Sequence, residues 1–578
     1  MTVVSRHADR DPAAAAVRFF RGAGERRTEE VLSYGDLDRS ARATAVALRE
    51  HCLPGDRVLL PFPPGTGFAA AFLGCQYAGL VPVPVPAPAR SAHQIDRTGV
   101  VAADARPSLV LTEASALPDV RARLADGGLA RLDALAIETA RAADPDEWHP
   151  PANGRGDLAF LQYTSGSTSE PKGVMVSRAN LVHNLELMRR SHGWDRDTGF
   201  CSWLPVYHDM GLIAMLLMPL YLGGTAALMP PTDFLKRPRT WPQLVDDTGA
   251  QVSCAPDFAY ELCARRVTAE EAAGLDLSRW RYACDGAEPV AAETLRRFTE
   301  RFAPSGFAPE AFLPGYGLAE ATLYVCGAPA AEAPVVTRVD AEALARDEFV
   351  PAPGGTSLVS SGHVRVLDVR IVDPATARVL PDGRVGEVWI RGESVALGYW
   401  KRPGETARVF GAATAAGERG FLRTGDLGVR QGPELYITGR LKEMLIVHGR
   451  NLYPHDIERE AGALDEAFAG LPGCAFAVPA PHEEIVVVQE VRARGRDAAE
   501  LPALARRART ALSTRLGVRV AGFVLVRVGQ VSRTTSGKIR RLAVRERFLG
   551  GALRTVHEEL DGAVRDRYRA PEPVRNPA

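Results

Sequence analysis

A stretch of 21 apolar and uncharged polar residues, from 210 to 230, strongly limits what this chain can fold into. Its sequence, MGLIAMLLMPLYLGGTAALMP, is long enough to span a bilayer. Pro219 and the pair Gly223-Gly224 interrupt it, no basic residue flanks it closely, and TAALM is typical of a buried strand. We therefore predict a helix, a turn and a strand in the core of a large domain, with a membrane span as the alternative.

Composition is that of an ordinary globular protein. Of the 578 residues, 46% are apolar and 24% are charged, which excludes disordered and fibrous classes. The 70 basic and 70 acidic residues cancel, so no net charge favours binding to nucleic acid or to an acidic membrane. The eight cysteines form no CxxC pair, which argues against a zinc module or a disulfide scaffold. The N-terminus lacks a signal-peptide core, and we expect a cytoplasmic protein without stable membrane insertion.

Short apolar strands alternate with helical stretches in the first part of the chain. Strands are predicted near Arg57–Leu60, Val81–Val85, Pro107–Thr112 and Asp157–Tyr163, with a helix at Gly67–Gly79. This alternation predicts a doubly wound α/β sheet.

The pattern changes at about Ser357, where turn sequences such as DPAT and PDG predict antiparallel hairpins. After about Leu441 a smaller α/β unit is predicted, with strands near Glu484–Val491 and Gly522–Val528. The tail RAPEPVRNPA, 569–578, is expected to be disordered.

The segment 161–173, LQYTSGSTSEPKG, has the composition of a phosphate-binding loop. A strand leads into small hydroxyl residues and a lysine, which offer backbone N–H groups, hydroxyl donors and a cation to a polyphosphate. It is not a Walker A loop, because Gly166 has the wrong spacing and Val174 replaces the required Ser or Thr. A surface linker is the alternative.

The segment 312–322, FLPGYGLAEAT, superficially resembles a dinucleotide fingerprint, but Glu320 replaces the third glycine. Its two glycines let the backbone approach a flat ring on which Tyr316 can stack. Glu320 offers a hard oxygen ligand for Mg²⁺.

Two further segments carry charged side chains on turns. Asp426, in FLRTGDL, can accept hydrogen bonds from both hydroxyls of a ribose, and Arg440 can add a donor to the same sugar or to a phosphate. An ordinary turn residue is the alternative for Asp426. Lys538 lies in RTTSGKI, which is not a Walker A loop because Ser532 replaces its glycine. Only five of the 70 basic residues are lysines, so a lysine here suggests that its compact ammonium is needed.

Taken in order, the motifs YTSGST, PKG, GYGLAE, RTGD, GRLKE and TSGK resemble those of the adenylate-forming enzyme superfamily. That group includes acyl-CoA ligases, peptide-synthetase adenylation domains, luciferases and fatty acyl-AMP ligases. The resemblance covers residues 30 to 545. Ser169 departs from it, since the phosphate loop usually has glycine there.

Within the superfamily the chain most resembles fatty acyl-AMP ligases. The supporting segments are LQYTSGST, WLPVYHDMGLI (203–213), APDFAYELC (255–263) and DGAEPV (285–290), in which Asp285 occupies a position more often Asn. Residues Val335–Gly355 fill the place of an insertion that, in this family, limits domain rotation and disfavours coenzyme A as acceptor.

The resemblance implies an α/β fold with a large N-terminal domain, 1–441, made of two doubly wound βα subdomains and an antiparallel barrel-like subdomain. A small mobile α+β C-terminal domain, 442–568, would carry the catalytic lysine and pivot at Lys442.

The resemblance also implies a reaction. A fatty acid and ATP, with Mg²⁺, would form acyl-adenylate and pyrophosphate, and the acyl group would pass to the phosphopantetheine thiol of an acyl carrier protein or of a polyketide or peptide synthase. We expect no carrier domain within this chain, because no attachment site follows residue 545.

The implied catalytic residues are Lys538, which would contact the carboxylate and the α-phosphate, His208 as a gate, and Glu320 as the metal ligand. A structural histidine is the alternative for His208. The implied nucleotide-binding residues are Thr164, Ser165, Gly166, Ser167, Thr168, Lys172, Gly286, Ala287, Glu288, Tyr316, Gly317, Leu318, Ala319, Asp426 and Arg440.

An acyl tunnel is expected along the apolar run after His208, where four of the eight methionines lie. Soft, unbranched side chains suit a wall that accepts a flexible chain, although a plain core helix is the alternative. The predicted acyl-binding residues are Asp209, Met210, Ile213, Met215 and Phe258. Asp209 as the reader of a substrate amine is disfavoured by its apolar surroundings.

Three functions therefore compete. A fatty acyl-AMP ligase that loads a carrier protein is the first, an acyl-CoA ligase the second, and a catalytically inactive acyl-nucleotide binding module the third. Intact Lys538, Glu320 and Asp426 argue against the third.

Overall fold

The structure is a computed structural model that describes residues 2–88, 97–164, 171–447, 450–480, 482–492, 499–533 and 538–569. Two sheets of mainly parallel strands organise the part before residue 328. The first has four parallel strands, in the spatial order Val81–Pro86, Arg57–Phe62, Leu109–Thr112 and Ala134–Ala136. The predicted strands at 57, 81 and 107 are confirmed within two residues.

The second sheet has eight strands, and its six inner strands are parallel to one another. An antiparallel strand closes each edge. The spatial order is Tyr324–Gly327, Phe312–Gly317, Tyr282–Asp285, Val252–Ala255, Phe200–Ser202, Ala226–Leu228, Ala15–Arg21 and Thr28–Ser33.

Helices connect these strands and cover the sheets. They span Thr2–Arg10, Tyr34–Arg49, Gly67–Ala78, Arg97–Ala105, Leu117–Asp126, Ile137–Ala140, Arg178–His192, Met218–Leu222, Pro231–Lys236, Thr240–Thr248, Asp257–Arg266, Ala269–Ala273 and Ala292–Phe302. The helix Arg178–His192 begins at a capping box in which the Ser177 hydroxyl accepts from the backbone N–H of Asn180.

The strand expected at 157–163 is not part of either parallel sheet. Leu158–Thr164 pairs antiparallel with Lys172–Ser177 as a hairpin. Residues 165–170, which include four predicted nucleotide-binding positions, lie outside the described residues.

The uncharged run is buried and folds as predicted, into helix, turn and strand. Met210–Leu217 is a π-helix, Met218–Leu222 continues as an α-helix, and Ala226–Leu228 is a strand of the large sheet. Gly223 ends the helix with φ +83°, a conformation that L side chains rarely adopt. Within the described ranges, no helix is long and apolar enough to cross a membrane.

The antiparallel part after residue 355 contains five paired strands. They are Asp368–Val372, Gly386–Arg391, Ala412–Ala413, Arg419–Gln431 and Glu434–Arg440, with a helix at Pro403–Phe410. The segment predicted as an insertion forms the strand Val336–Val339, which pairs with Thr356–Val359, and the short helix Ala341–Leu344.

The C-terminal unit is a four-stranded mixed sheet with helices on both faces. Its strands are Gly473–Pro479, Glu483–Val491, Val520–Arg527 and Thr555–Leu560, after a hairpin of Leu445–Val447 and Arg450–Leu452. Its helices are Pro454–Gly462, Glu500–Leu516, Arg541–Leu549 and Gly562–Tyr568. Strand residues contribute to a separate hydrophobic core on each face of the sheet. The boundary at 441/442 and the mobility of this unit stay predictions.

Candidate functional site

A cavity of about 1270 Å³ lies where the large parallel sheet meets the antiparallel strands and the C-terminal unit. Parallel strands place the loops at their carboxyl ends on one edge of the sheet, and these loops supply much of the cavity wall. The predicted site residues that line the cavity are Thr164, His208, Asp209, Met210, Phe258, Gly286, Ala287, Glu288, Tyr316, Gly317, Leu318, Ala319, Glu320, Asp426, Arg440 and Lys538.

Other predicted residues lie elsewhere. Lys172, Ile213 and Met215 are not among the residues that line the cavity. Lys442 is exposed in the turn that follows the strand Glu434–Arg440. Ser165, Gly166, Ser167 and Thr168 lie outside the described residues.

The segment 286–288 follows the strand Tyr282–Asp285 and is held by two neighbouring helices. The backbone N–H of Phe258, at the start of one helix, donates to Oε1 of Glu288 at 2.7 Å. Asp257 accepts from the backbone N–H of Ala291 at 2.9 Å and from the hydroxyl of Thr294 at 2.8 Å, next to the other helix. These carboxylates fix the end of the segment that leads into the next helix.

Backbone strain concentrates beside this segment. Ala287 has φ +68° and Thr322 has φ +70°, which are uncommon conformations for residues with a Cβ. Gly317 is required by close approach, because a Cβ there would lie 1.9 Å from the carbonyl oxygen of Leu323. A flat cleft between 286–288 and 316–317 suits an aromatic ring such as adenine.

Asp426 lies at the same end of the cavity, on the long strand Arg419–Gln431. Tyr316 donates its hydroxyl to Oδ2 at 2.7 Å, and Nε of Arg440 donates to Oδ1 at 3.0 Å. Each carboxylate oxygen keeps a second lone pair that can accept a further hydroxyl. The charge of Asp426 raises the pKa of Arg440, which therefore stays cationic.

Lys538 approaches the cavity from the C-terminal unit and is partly buried. Burial and the positive charge of Arg440 lower its pKa, while Asp209, Glu288 and Asp426 act in the opposite direction. The ammonium therefore interacts electrostatically with three carboxylates that come from three different parts of the chain before residue 441.

His208 and Asp209 precede the π-helix. Nδ1 of His208 lies 2.8 Å from Oδ1 of Asp209, and the same carboxylate oxygen accepts from the backbone N–H of Met210 at 2.8 Å. Burial would raise the pKa of Asp209, but the charges of His208 and Lys538 outweigh it, and the net shift is downward.

The apolar wall follows the geometry of the π-helix. Met210, Ala214 and Phe258 line the cavity, and Met210 and Ala214 are four residues apart on one face. Ile213 and Met215 are fully buried in the core behind that face. These two residues do not line the cavity, and their assignment to acyl binding stays a prediction.

Glu320 is held by a hydrogen bond from the hydroxyl of Tyr399 to Oε1, at 2.8 Å. The Tyr399 ring lies 5.1 Å from Nζ of Lys172, which forms an ion pair with Glu405. Tyr399 and Glu405 were not singled out in the sequence, because they lie far along the chain from the motifs that they support.

The donor set suits a metal ion that arrives with a polyphosphate. In the described part of the chain, no group of three or more His, Cys, Asp or Glu side chains could hold a metal ion by itself. Glu320 supplies one hard oxygen in the cavity, and burial raises its pKa, so a nearby dication would stabilise its ionised form. Phosphate oxygens and water would then supply the remaining ligands.

Comparison with known proteins identifies the family. The sequence profile of the AMP-binding enzyme family matches residues 4–400. The chain is 39% identical over 535 residues to the medium-chain-fatty-acid–[acyl-carrier-protein] ligase JamA of Moorena producens, covering 90% of each chain. It is 40% identical over 545 residues to the 4-hydroxyphenylalkanoate adenylyltransferase of Mycobacterium tuberculosis, covering 90% of this chain and 86% of the relative.

A solved structure agrees with these relatives. The fatty acyl-adenylate ligase of Legionella pneumophila, solved with acyl adenylate and pyrophosphate, superimposes with a TM-score of 0.74 and 36% identity over 97% of both chains.

Proposed function

The chain belongs to the AMP-binding enzyme family, as a fatty acyl-AMP ligase, and from this premise we propose that it activates a fatty acid with ATP and transfers the acyl group to a carrier protein. The observation that carries the proposal is the single cavity. It joins an apolar wall at Met210, a flat cleft at 286–288, the Asp426–Arg440 pair and Lys538.

In the first half-reaction, a carboxylate oxygen of the acid attacks the α-phosphorus of ATP, and pyrophosphate leaves. Both reactants are anions, so positioning and electrostatic stabilisation supply most of the rate. We assign Lys538 to the developing charge between the carboxylate and the α-phosphate. Burial and Arg440 lower the pKa of Lys538, whereas three carboxylates act in the opposite direction. We therefore expect a poorly solvated ammonium beside the reacting atoms.

The nucleotide is placed by the other end of the cavity. Gly286 and Gly317 let the two segments that we assign to adenine pack closely on the carbonyl groups of Gly315 and Leu323. Asp426 accepts the ribose hydroxyls with its remaining lone pairs. Mg²⁺ bound with ATP would offset phosphate charge, and Glu320 is the carboxylate that we assign to it.

In the second half-reaction, the sulfur of a phosphopantetheine thiol attacks the acyl carbonyl carbon, the thiol proton passes to solvent, and AMP leaves. Lys538 and the C-terminal unit must withdraw to admit the thiol, so we assign the pivot to Lys442. Its turn is exposed, and it connects the last N-terminal strand to the hairpin at Leu445–Val447.

Contacts of the predicted insertion favour a carrier over coenzyme A as acceptor. Asn451 of the C-terminal unit donates to both carboxylate oxygens of Asp347, at 3.0 and 3.1 Å, and its backbone N–H donates to the carbonyl of Ala345 at 3.3 Å. These bonds tie the insertion to the unit that must rotate, which supports a restrained rotation.

The cytoplasm is the proposed compartment. All eight cysteines carry free thiols, seven of them buried and Cys284 partly exposed, as is usual where the surroundings are reducing.

The decisive experiment is mass spectrometry of the products from a panel of acids with ATP and Mg²⁺. Acyl-AMP and pyrophosphate should form, and adding a phosphopantetheinylated carrier should convert acyl-AMP to acyl-carrier. Efficient acyl-CoA formation with coenzyme A would instead identify an acyl-CoA ligase. Binding of nucleotide and acid without pyrophosphate release would identify an inactive binding module.

A further inference from the structure

Asp426, the carboxylate that we assign to the ribose, lies in a bulge of the antiparallel sheet. The strand Gly386–Arg391 pairs with Arg419–Gln431, but between two paired positions residues 424–426 all face the single residue Val388. A bulge of this kind frees backbone groups from the strand ladder and changes the direction of a side chain. The position of the ribose carboxylate therefore depends on what holds the bulge.

Glu387 holds the bulge from the neighbouring strand, and it is only 2% exposed. Its Oε1 accepts from the backbone N–H of Gly425 at 3.1 Å. Its Oε2 accepts from Nε1 of Trp389 at 2.9 Å, and from Nε and Nη2 of Arg423 at 3.0 and 2.7 Å. Four N–H groups thus converge on one carboxylate, which as an acceptor-only group can satisfy all of them.

The bond from Gly425 fixes the residue just before Asp426. Gly425 has φ +72°, a conformation that glycine adopts without strain. The backbone N–H of Asp426 donates to Oγ1 of Thr424 at 3.0 Å, and the Thr424 hydroxyl donates to the carbonyl of Val388 at 2.7 Å. Side chains therefore replace strand pairing for the backbone N–H groups of Gly425 and Asp426.

Glu387 acts at a distance from the nucleotide. Asp426 lines the cavity, but Glu387 is not among the residues that do so. Tyr316 and Arg440 hold the carboxylate oxygens of Asp426, whereas Glu387 holds the backbone next to it. Both ends of the Asp426 side chain must be fixed if its free lone pairs are to meet the two ribose hydroxyls.

Building on the proposed function, we infer that Glu387 is a positioning residue for ribose recognition, and that it acts through the Gly425 backbone on Asp426. Glu387→Gln keeps the size of the side chain but disrupts this arrangement. An amide has one accepting oxygen and one NH₂ group, so in either orientation the NH₂ faces a donor, that of Gly425 or those of Trp389 and Arg423.

The test compares ATP with 2′,3′-dideoxy-ATP, which lacks both ribose hydroxyls, by kcat/KM for pyrophosphate release at a fixed fatty acid concentration. The parent should prefer ATP at least about tenfold, because the dideoxy nucleotide leaves the Asp426 carboxylate without its hydroxyl partners. Asp426→Ala gives the preference that remains when the ribose contact is lost. The absence of any preference in the parent would overturn the inference.

In Glu387→Gln the preference for ATP should fall toward the value of Asp426→Ala, mainly because KM for ATP rises, while KM for the fatty acid stays unchanged. A purely structural role would lower kcat/KM for both nucleotides by the same factor. An unchanged preference in a folded Glu387→Gln enzyme therefore overturns the inference.

A second variant guards against a folding defect in Glu387→Gln. Glu387→Asp keeps a negative charge for Arg423, but its side chain is one methylene too short to serve both Arg423 and the N–H of Gly425. It should show the same loss of preference, and a preference equal to the parent's would overturn the inference.

Glu434→Gln is the matched control. Glu434 is a half-buried carboxylate on the strand next to Arg419–Gln431, and it bonds with Ser360 and His363 rather than with the bulge. It does not line the cavity. This variant should keep the preference of the parent, and a loss equal to that of Glu387→Gln would show that the effect is not specific to the bulge and would overturn the inference.

Failure of the proposed function has a different signature. If no acid releases pyrophosphate with ATP, the proposed ligase reaction fails. Calorimetric binding of ATP and of 2′,3′-dideoxy-ATP then tests Glu387 separately, and an equal ratio of affinities in the parent and in Glu387→Gln would overturn its role.

Discussion

The carboxyl groups of Asp257 and Asp285 face each other beneath the segment 286–288, and burial is the main reason that the pKa of each is raised. Both oxygens of Asp257 already accept hydrogen bonds, from Ala291 and Thr294. The oxygens of Asp285 have no donor among the described residues. We therefore infer that Asp285 is the protonated member of the pair and donates a hydrogen bond to Asp257.

Asp285→Asn should make the free energy of unfolding depend less on pH. The native pair retains a proton that the unfolded chain releases above about pH 4, so the free energy of unfolding falls as the pH rises toward the raised pKa values. One retained proton gives a slope of up to about 1.4 kcal/mol per pH unit. An amide donates to Asp257 without titrating, so the variant should gain stability relative to the parent as the pH rises from about 5 toward 8, where the pKa of Asp257 lies.

Urea unfolding at several pH values measures this difference. Glu310→Gln, which changes an exposed carboxylate, should follow the parent. A constant difference between Asp285→Asn and the parent over the whole pH range would contradict a shared proton.

Lys538→Ala should reduce acyl-AMP formation at least about a hundredfold, the usual effect of removing a preorganised charge donor. Nucleotide binding should persist, because Asp426 and Arg440 remain. Lys401→Ala is the control, since Lys401 is an exposed lysine beside the Trp400 ring and outside the cavity. Adenylation within tenfold of the parent would remove Lys538 from its assigned role.

Glu320→Gln should raise the Mg²⁺ concentration needed for half-maximal pyrophosphate release, because an amide is a poorer ligand for a hard dication. The amide can still accept from the hydroxyl of Tyr399, so the local packing is kept. Metal titration of the variant, the parent and Glu310→Gln measures the effect. If all three titrate alike, Glu320 does not bind the metal.

Lys442→Pro should preserve adenylation and abolish transfer to a thiol. Pro fixes φ near −65°, which prevents the rotation expected of a hinge residue. In this described turn the backbone donors are Leu441, Glu443 and Met444, so proline at 442 removes no observed hydrogen bond. Single-turnover transfer from preformed acyl-AMP separates the two steps, and a transfer rate equal to the parent's would refute the hinge.

Local patterns indicate where the elements lie better than they indicate which side chains share a face. The strands at 57, 81 and 520 were predictable because short apolar runs between turn residues indicate buried strands. The facing residues of the run 210–217 were not, because every residue in it is buried and a π-helix changes which positions share a face.

Contacts between residues that lie far apart along the chain could not be predicted from the sequence either. The assignment of Lys172 to phosphate stays a prediction, but its partner in the structure, Glu405, lies 233 residues away. No local pattern encodes such a partner. The hydrogen bond from Tyr399 to Glu320 depends on the same kind of tertiary proximity.

The last prediction concerns the insertion. Asp347 adopts φ +61° and accepts both side-chain hydrogen bonds from Asn451. Glycine adopts this backbone conformation without strain, so Asp347→Gly removes the two side-chain hydrogen bonds to the C-terminal unit and leaves the turn intact. Glu348→Ala is the matched control, because Glu348 pairs with Arg384 within the N-terminal part.

Asp347→Gly should leave adenylation unchanged and raise acyl-CoA formation at least about tenfold, since even one hydrogen bond to a charged group contributes about 1.5–3 kcal/mol. The physical reason is that a weaker tether lets the C-terminal unit rotate and admit coenzyme A. Deletion of 335–355 should act in the same direction but also removes the strand Val336–Val339 and the buried Phe349, so the point variant is the cleaner test. Mass spectrometry with coenzyme A measures the product. A folded Asp347→Gly enzyme that adenylates normally, yet forms no more acyl-CoA than Glu348→Ala, would show that this tether does not control the acceptor.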